Sequence, residues 1–290
     1  SRLQPAKRTS RPSLEHMRAR PGSAAGALEV LVFAGLLCAP LAVRGPEVVP
    51  QPDVPSSLPS VTVGKNSTAR FRQCAAARWQ RAAQNCGGRC DIVLVGDSIL
   101  ERMTGRCCYS QLSVSQSGVA FMEVFGTRRP RILNLGGASD MTQQVLYNLE
   151  GALPVLKAPA AFLVLAGTNN IPQGGKPAAL RGIRAIVDTL RAAHPESKVL
   201  LHPVLGRLDD LGKLHYQDRI DSLNRDLQEL VSEERAEGAP IQMVDCLASI
   251  GTPAQVPHHF ADRLHPSPAG YRAWLECLGP AVDRAITDLP

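Results

Sequence analysis

The chain has 290 residues, 44% apolar and 20% charged, which is enough to bury a sizeable core in one large domain with appendages or in two small domains. Its formal charge of +6 sits mostly at the start. Residues 1–28 carry Arg2, Lys7, Arg8, Arg11, Arg18 and Arg20 against Glu15 alone, a local +5, so the remainder is nearly neutral. No basic patch with interleaved aromatics follows, which excludes nucleic acid as the reading of that charge.

The first element is the uncharged apolar run "VLVFAGLLCAPLAV", residues 30–43, between Glu29 and Arg44. Its length matches the h-region of a signal peptide and falls short of the roughly 20 residues of a membrane-spanning helix. If the natural start is Met17, "MRAR" supplies the basic n-region; an uncleaved signal anchor is the alternative. Residues 1–44 therefore read as a basic tail with a signal peptide or signal anchor. Residues 45–69 follow as a linker, stiffened by prolines at 46, 50, 52, 55 and 59. Asn66-Ser67-Thr68 is an N-glycosylation acceptor, so the expected destination is the secretory pathway, secreted or lumenal.

Of eight cysteines, Cys38 lies in the apolar run. The other seven are Cys74, Cys86, Cys90, Cys107, Cys108, Cys246 and Cys277. In an oxidising compartment most would pair, and the odd count leaves at least one over. Cys86-x3-Cys90 has neither a second spaced pair nor nearby histidines, which argues against zinc.

Residues 70–290 read as the catalytic domain. Strand-like and helix-like segments alternate from residue 91, with strands at about 91–95, 131–135, 160–166, 197–203 and 240–245. That alternation predicts an α/β fold with a doubly wound parallel sheet. The clearest helix is "IDSLNRDLQELVSEE", with Ile220, Leu223, Leu227 and Leu230 on one face, and the last helix runs from about Ala269 to Thr287.

Ligands bind at the carboxyl ends of strands in open α/β sheets, so the residues that leave the strands matter. The stretch "DIVLVGDSIL" ends in Gly96, Asp97 and Ser98; "RILNLGGASD" in Gly136-Gly137 and Asp140; "FLVLAGTNN" in Gly167, Thr168, Asn169 and Asn170. "ADRLHPSPAGY" places Asp262 and His265 three residues apart before the final helix. Taken singly, each is a cap or a turn. Together they place a hydroxyl, glycine-rich backbone, an amide and an Asp/His pair at one sheet edge. A serine attacks an acyl carbon when a histidine accepts its proton and a carboxylate holds that histidine's tautomer. The oxyanion then needs donors, for which the backbone N–H of Ser98, the 136–139 loop and the Asn169 amide are candidates, one such donor being worth about 3 kcal/mol.

"GDSI", "NLGGASD", "AGTNN" and "DRLHP" resemble, in order and separation, the four blocks of the SGNH (GDSL-type) hydrolases. "NLGGASDMTQQVLYNLE" and "VLAGTNN" most resemble the platelet-activating-factor acetylhydrolase catalytic-subunit branch. The resemblance covers about residues 70–288. It implies a flavodoxin-like α/β/α fold with a five-stranded parallel sheet, Ser98 as nucleophile, Asp262 and His265 completing the triad, Asn169 as oxyanion donor, and no metal or cofactor. The family has glycine before the aspartate of its second block; here Ser139 stands there, so its backbone N–H carries that role. The expected activity is hydrolysis of a short, acetyl-type acyl ester of a lipid or sugar. An O-acetyltransferase with the same triad and a non-catalytic binding protein are the alternatives, and a homodimer would follow by analogy only. Asp97 reads as structural, Asn170 as a turn residue, His258 and His259 as loop residues rather than metal ligands, His202 as a core histidine, and Asn224 as facing solvent or capping a loop.

Overall fold

The computed structural model describes residues 51–56, 67–84, 89–104, 115–126 and 131–287. The chain divides into two units, Ser1–Glu47 and Val48–Pro290, and the first lies outside the described residues, as do the apolar run, Asn66, Cys38, Cys86, Cys107 and Cys108. Among the described residues no helix is long and apolar enough to cross a membrane.

Five parallel strands form one sheet: β1 (Ile92–Gly96), β2 (Ile132–Asn134), β3 (Ala161–Leu165), β4 (Lys198–Leu201) and β5 (Ile241–Met243), in the order β2-β1-β3-β4-β5. This is the flavodoxin-like order, which has its switch point between β1 and β3. All five expected strands are present; β1 has its expected length, and the other four are shorter than expected because the chain turns into the loops that carry polar residues. The helices are α1 (Ser67–Gln84), α2 (Ser98–Met103), α3 (Ser115–Phe125), α4 (Thr142–Ala152), α5 (Ile171–Ala193), α6 (Gln217–Ala236), α7 (Leu247–Ile250) and α8 (Pro268–Thr287).

The unbroken apolar runs are explained by burial on both faces. Val93 and Val95 of β1, Phe162 and Val164 of β3, and Val199 and Leu201 of β4 join the core formed with α4, α5 and α6. Ile92, Leu94, Leu163, Leu165 and Leu200 point the other way, into the core with α2, α3 and α8. Ile220, Leu223, Leu227 and Leu230 make the buried stripe of α6, as their spacing predicts. β1 and β3 approach so closely at Gly96 that a Cβ there would lie 1.9 Å from the Leu165 carbonyl oxygen. The glycine that ends β1 is therefore required by its neighbouring strand as well as by the turn.

Residues 51–56, inside the segment read as a linker, rest against the start of α4. Pro52 is buried, its carbonyl accepts from Thr142 Oγ1 at 2.6 Å, and Ser56 N–H donates to the Gln143 carbonyl at 2.9 Å. On the opposite side of the sheet a Cys246–Cys277 disulfide ties the N-cap of α7 to α8. Cys74 and Cys90 are disulfide-bonded as well.

Candidate active site

The turn after β1 is built by Asp97, the N-cap of α2, whose Oδ1 accepts from the Ile99 amide at 2.9 Å. Ser98 is the first residue of α2, so its own N–H has no acceptor within the helix. Tyr271 of α8 pins this turn by donating its hydroxyl to the Ile99 carbonyl at 2.7 Å. Asp97 is fully buried and its second carboxylate oxygen has no partner among the described residues. Burial pushes its pKa up to about 7; the Ile99 amide bond opposes the rise, the Asp140 charge adds to it and Arg207 opposes it. The expected structural role of Asp97 thus takes a definite form: it caps the turn that presents Ser98.

Ser98 Oγ and His265 Nε2 lie 2.9 Å apart, and His265 Nδ1 lies 2.8 Å from Asp262 Oδ2. With a carboxylate at Nδ1, that nitrogen carries the proton and Nε2 is free to accept the serine hydroxyl. The Asp262 carboxylate also accepts the Leu264 and His265 amides at 2.9 and 2.8 Å, which closes the tight loop. Burial raises the Asp262 pKa, but the bond to His265, its charge and the two amides outweigh that and hold the carboxyl well below its usual range. A bridge between Phe260 and Pro266 pins the base of the loop, and Ser267 Oγ accepts the Gly270 amide at the start of α8. Arg102, one turn beyond Ser98, approaches Asp262 Oδ2 at 3.5 Å.

The loop after β2 comes to the same edge. Gly137 N–H donates to the Gly96 carbonyl at 3.1 Å and Gly136 N–H to Asn134 Oδ1 at 2.8 Å. Ser139 stands in the left-handed region with φ 61°, the conformation that favours glycine. Asn169 Nδ2 donates to the Asp140 carbonyl at 2.9 Å, which joins the loop after β3 to the Ser139 turn. Asn170 is fully buried; its Oδ1 accepts the Thr142 amide at 3.0 Å and its Nδ2 reaches Thr142 Oγ1. It is a turn residue that also clamps α4 to β3.

Behind this loop lies a buried ionic cluster. Arg78 of α1 donates from Nε to the Gly136 carbonyl and from Nη1 to Asn148, and it pairs with Glu101 at 3.6 Å and Asp140 at 3.8 Å. Asn148 Nδ2 donates to Asp140 Oδ2 at 2.7 Å. Burial raises the Asp140 pKa to about 6; Arg78 opposes the rise, Glu101 adds to it and the Asn148 bond opposes it. A Cβ on Gly137 would sit 2.0 Å from Asp140 and 2.5 Å from Arg78. The cluster therefore requires the second glycine of the block.

The remaining sequence expectations resolve as follows. His202 is a core histidine: Trp274 Nε1 donates to its Nε2 at 2.8 Å, Nδ1 lies 2.6 Å from the Pro203 carbonyl, and burial lowers its pKa to about 4. Asn224 caps a loop, bonding both the amide and the carbonyl of Val204. His258 and His259 sit in a 3-10 turn, their rings 4.6 Å apart, with His259 Nδ1 on the Ile250 carbonyl. Arg78, Arg102 and Arg207 were not anticipated. Arg102 had a signal, its i+4 spacing from Ser98; Arg78 and Arg207 reach the site only through distant elements. A cleft of about 630 Å³ opens between the starts of α6 and α7, lined in part by Gly206, Leu214, Gln217 and Val256. Neither Ser98 nor His265 lines it.

Residues 94–273 match the GDSL-like Lipase/Acylhydrolase family. No curated protein matches the chain in sequence. Among solved structures, a candidate platelet activating factor from Streptococcus pneumonia is 22% identical, with a TM-score of 0.60 over 74% of this chain and 93% of its own. A GDSL-like lipase from Bacteroides thetaiotaomicron is 18% identical, with a TM-score of 0.55 over 75% of this chain and 98% of its own. A candidate acylhydrolase from Bacteroides fragilis is 20% identical, with a TM-score of 0.53 over 71% and 96%. At these identities the structures establish the fold, and the family match covers more than half of the chain. The chain belongs to the GDSL-like lipase/acylhydrolase family and is a carboxylic ester hydrolase of that family.

Proposed function

We propose that the protein is a serine esterase that removes a short, acetyl-type acyl group from a lipid or carbohydrate through Ser98, His265 and Asp262. The observation that carries this reading is the continuous relay from Ser98 Oγ through the imidazole to Asp262, with links of 2.9 and 2.8 Å. In it, His265 Nε2 takes the Ser98 proton as Oγ attacks the acyl carbon, and Asp262 stabilises the imidazolium that forms. The oxyanion is held by the N–H groups of Ser98 and Ser139 and by Asn169 Nδ2. His265 then returns its proton to the leaving alcohol, and the same histidine activates the water that hydrolyses the acyl-enzyme. The preference for a short acyl group rests on the resemblance to the acetylhydrolase branch.

A fluorophosphonate should label Ser98 covalently, and labelling should vanish in Ser98→Ala and His265→Ala. Persistence in Ser98→Ala would overturn the nucleophile assignment. p-Nitrophenyl esters of increasing chain length, acetylated sugars and a short-acyl phospholipid then define the acyl and alcohol portions. Acetyl transfer to a sugar hydroxyl outpacing hydrolysis would move the protein to the transferases.

We also propose passage through the secretory pathway, with cleavage or anchoring at residues 30–43 and glycosylation of Asn66. The Cys246–Cys277 disulfide supports an oxidising compartment. Expression of the complete coding sequence in a eukaryotic host should yield a product whose mobility changes on N-glycosidase treatment; a cytosolic, unshifted product would contradict it.

A further inference from the structure

The loop between β4 and α6 holds a cation that the mechanism above does not use. Arg207 is half-buried, and its Nη1 donates to the Thr168 carbonyl at 3.0 Å, one residue before Asn169. The next residue, Leu208, donates its amide to the Arg263 carbonyl at 2.9 Å, inside the loop that carries Asp262 and His265. Arg207 is thereby braced from two sides, by the oxyanion loop and by the histidine loop. Its guanidinium carbon lies 5.5 Å from the centroid of the Tyr216 ring, within cation–π range.

No carboxylate meets it directly. Among the described residues no carboxylate forms an ion pair with Arg207. Burial disfavours its charge; the acidic groups whose charge reaches it are Tyr216, Asp97 and Asp210, and Arg263 opposes them. Asp210 is fully exposed and already pairs with Arg263 at 3.2 Å. Asp97, with its carboxyl raised to about 7, carries only part of a charge at neutral pH. Arg207 Nε and Thr168 Oγ1 are buried without partners. Nη2 has no acceptor among the described residues and keeps some exposure to solvent. Desolvating a cation without a directly paired counter-charge is costly, and a guanidinium anchored on the loop that carries Asn169 has the chemistry to recognise carboxylate or phosphate oxygens.

We propose that Arg207 is a specificity-determining residue, selecting esters that carry an anionic oxygen group, carboxylate or phosphate, close to the scissile bond. The inference rests on the esterase reading for its place in the reaction, while the anion site itself stands on the Arg207 geometry.

The test compares full-length protein with Arg207→Gln and Arg207→Lys, checked for folding by thermal melts. The substrates are the acetyl esters of 4-hydroxybenzoate and of 4-hydroxyphenyl phosphate, against the uncharged methyl 4-acetoxybenzoate. Arg207→Gln should lose roughly thirtyfold more in kcat/KM on the anionic esters than on the neutral one, chiefly through KM. Arg207→Lys should recover part of that difference. The carboxylate and phosphate arms show which anion is preferred. An equal loss on charged and neutral esters would mean that Arg207 only holds the Thr168 carbonyl, and would overturn the proposal, as would no loss on either. Binding of inorganic phosphate and of benzoate, followed by calorimetry, needs no turnover. Anion binding lost in Arg207→Gln, in a protein that hydrolyses none of the esters, would sink the esterase reading and leave the anion site standing. No binding and no charge preference in the wild type would overturn the inference.

Discussion

Ser139 holds a side chain in a backbone conformation that favours glycine. Its φ of 61° costs a non-glycine residue roughly 1 kcal/mol or more, because Cβ crowds the carbonyl in the left-handed region. Ser139→Gly removes that strain but gives the unfolded chain more freedom, so the net gain should be about 0.5 kcal/mol in urea unfolding. If the donor at this position is the backbone N–H, Ser139→Ala should change kcat by less than about tenfold. If Asn169 is the second donor, Asn169→Ala should cost roughly a hundredfold or more, and it also removes the clasp on the Asp140 carbonyl. Steady-state kinetics on one ester orders the pair. Equal damage from the two alanine variants would make the Ser139 hydroxyl itself the donor.

Among the elements, α1 has a larger part than its place beside a linker suggests. It sends Arg78, which is wholly buried, to the Gly136 carbonyl and the Asp140 and Glu101 carboxylates. Removing one partner of a buried ionic cluster strands the others, at about 3–5 kcal/mol. Arg78→Ala should therefore lower the urea midpoint by an amount of that order. An exposed control, Arg184→Ala on α5, removes a surface pair with Glu233 and should cost less than about 1 kcal/mol. A similar, small effect at both positions would show that Arg78 does not hold the loop after β2. The short α2 and α7 depend likewise on partners: Tyr271 fixes the first turn of α2, and the Cys246 disulfide holds the start of α7 on α8.

For the whole molecule, two buried carboxyls set a pH dependence of stability. The folded pKa values of Asp97 and Asp140 rise to about 7 and about 6 from 3.8. Between pH 4 and 7 the folded state then binds more protons than the unfolded state, so their contribution is complete below about pH 4 and is lost as pH rises through the window. Asp262 has the opposite sign. Its carboxyl is held low, so its contribution persists above pH 4 and fades only in stronger acid. Asp97→Asn keeps a side-chain oxygen for the Ile99 amide and removes one of the two raised groups. Its stability relative to the wild type should improve by about 1–3 kcal/mol from pH 4.5 to pH 7, read from melts across that range. A flat difference would show that Asp97 does not titrate there.

Much of the architecture was legible in local pattern. The apolar runs of β1, β3 and β4 predict buried strands because only a sheet covered on both faces tolerates such runs, and the alternation with helical segments places the two edge strands beside them. The three-residue spacing of Asp262 and His265 predicts their contact because a tight loop leaves them few other arrangements. The Asp97 cap and the α6 stripe are local in the same way. Tertiary structure decided what depends on distant segments meeting. Ser98 and His265 are 167 residues apart, and the order β2-β1-β3 brings the Ser98, Ser139 and Asn169 loops to one edge. Which cysteine pairs with Cys246 was open among many combinations, and the crossing of α7 and α8 selects Cys277. Arg78 and Arg207 carry no local mark, because a charged residue on a helix or loop usually faces solvent. Each is drawn inward by carbonyls that only the assembled sheet edge presents, the Gly136 oxygen for one and the Thr168 oxygen for the other.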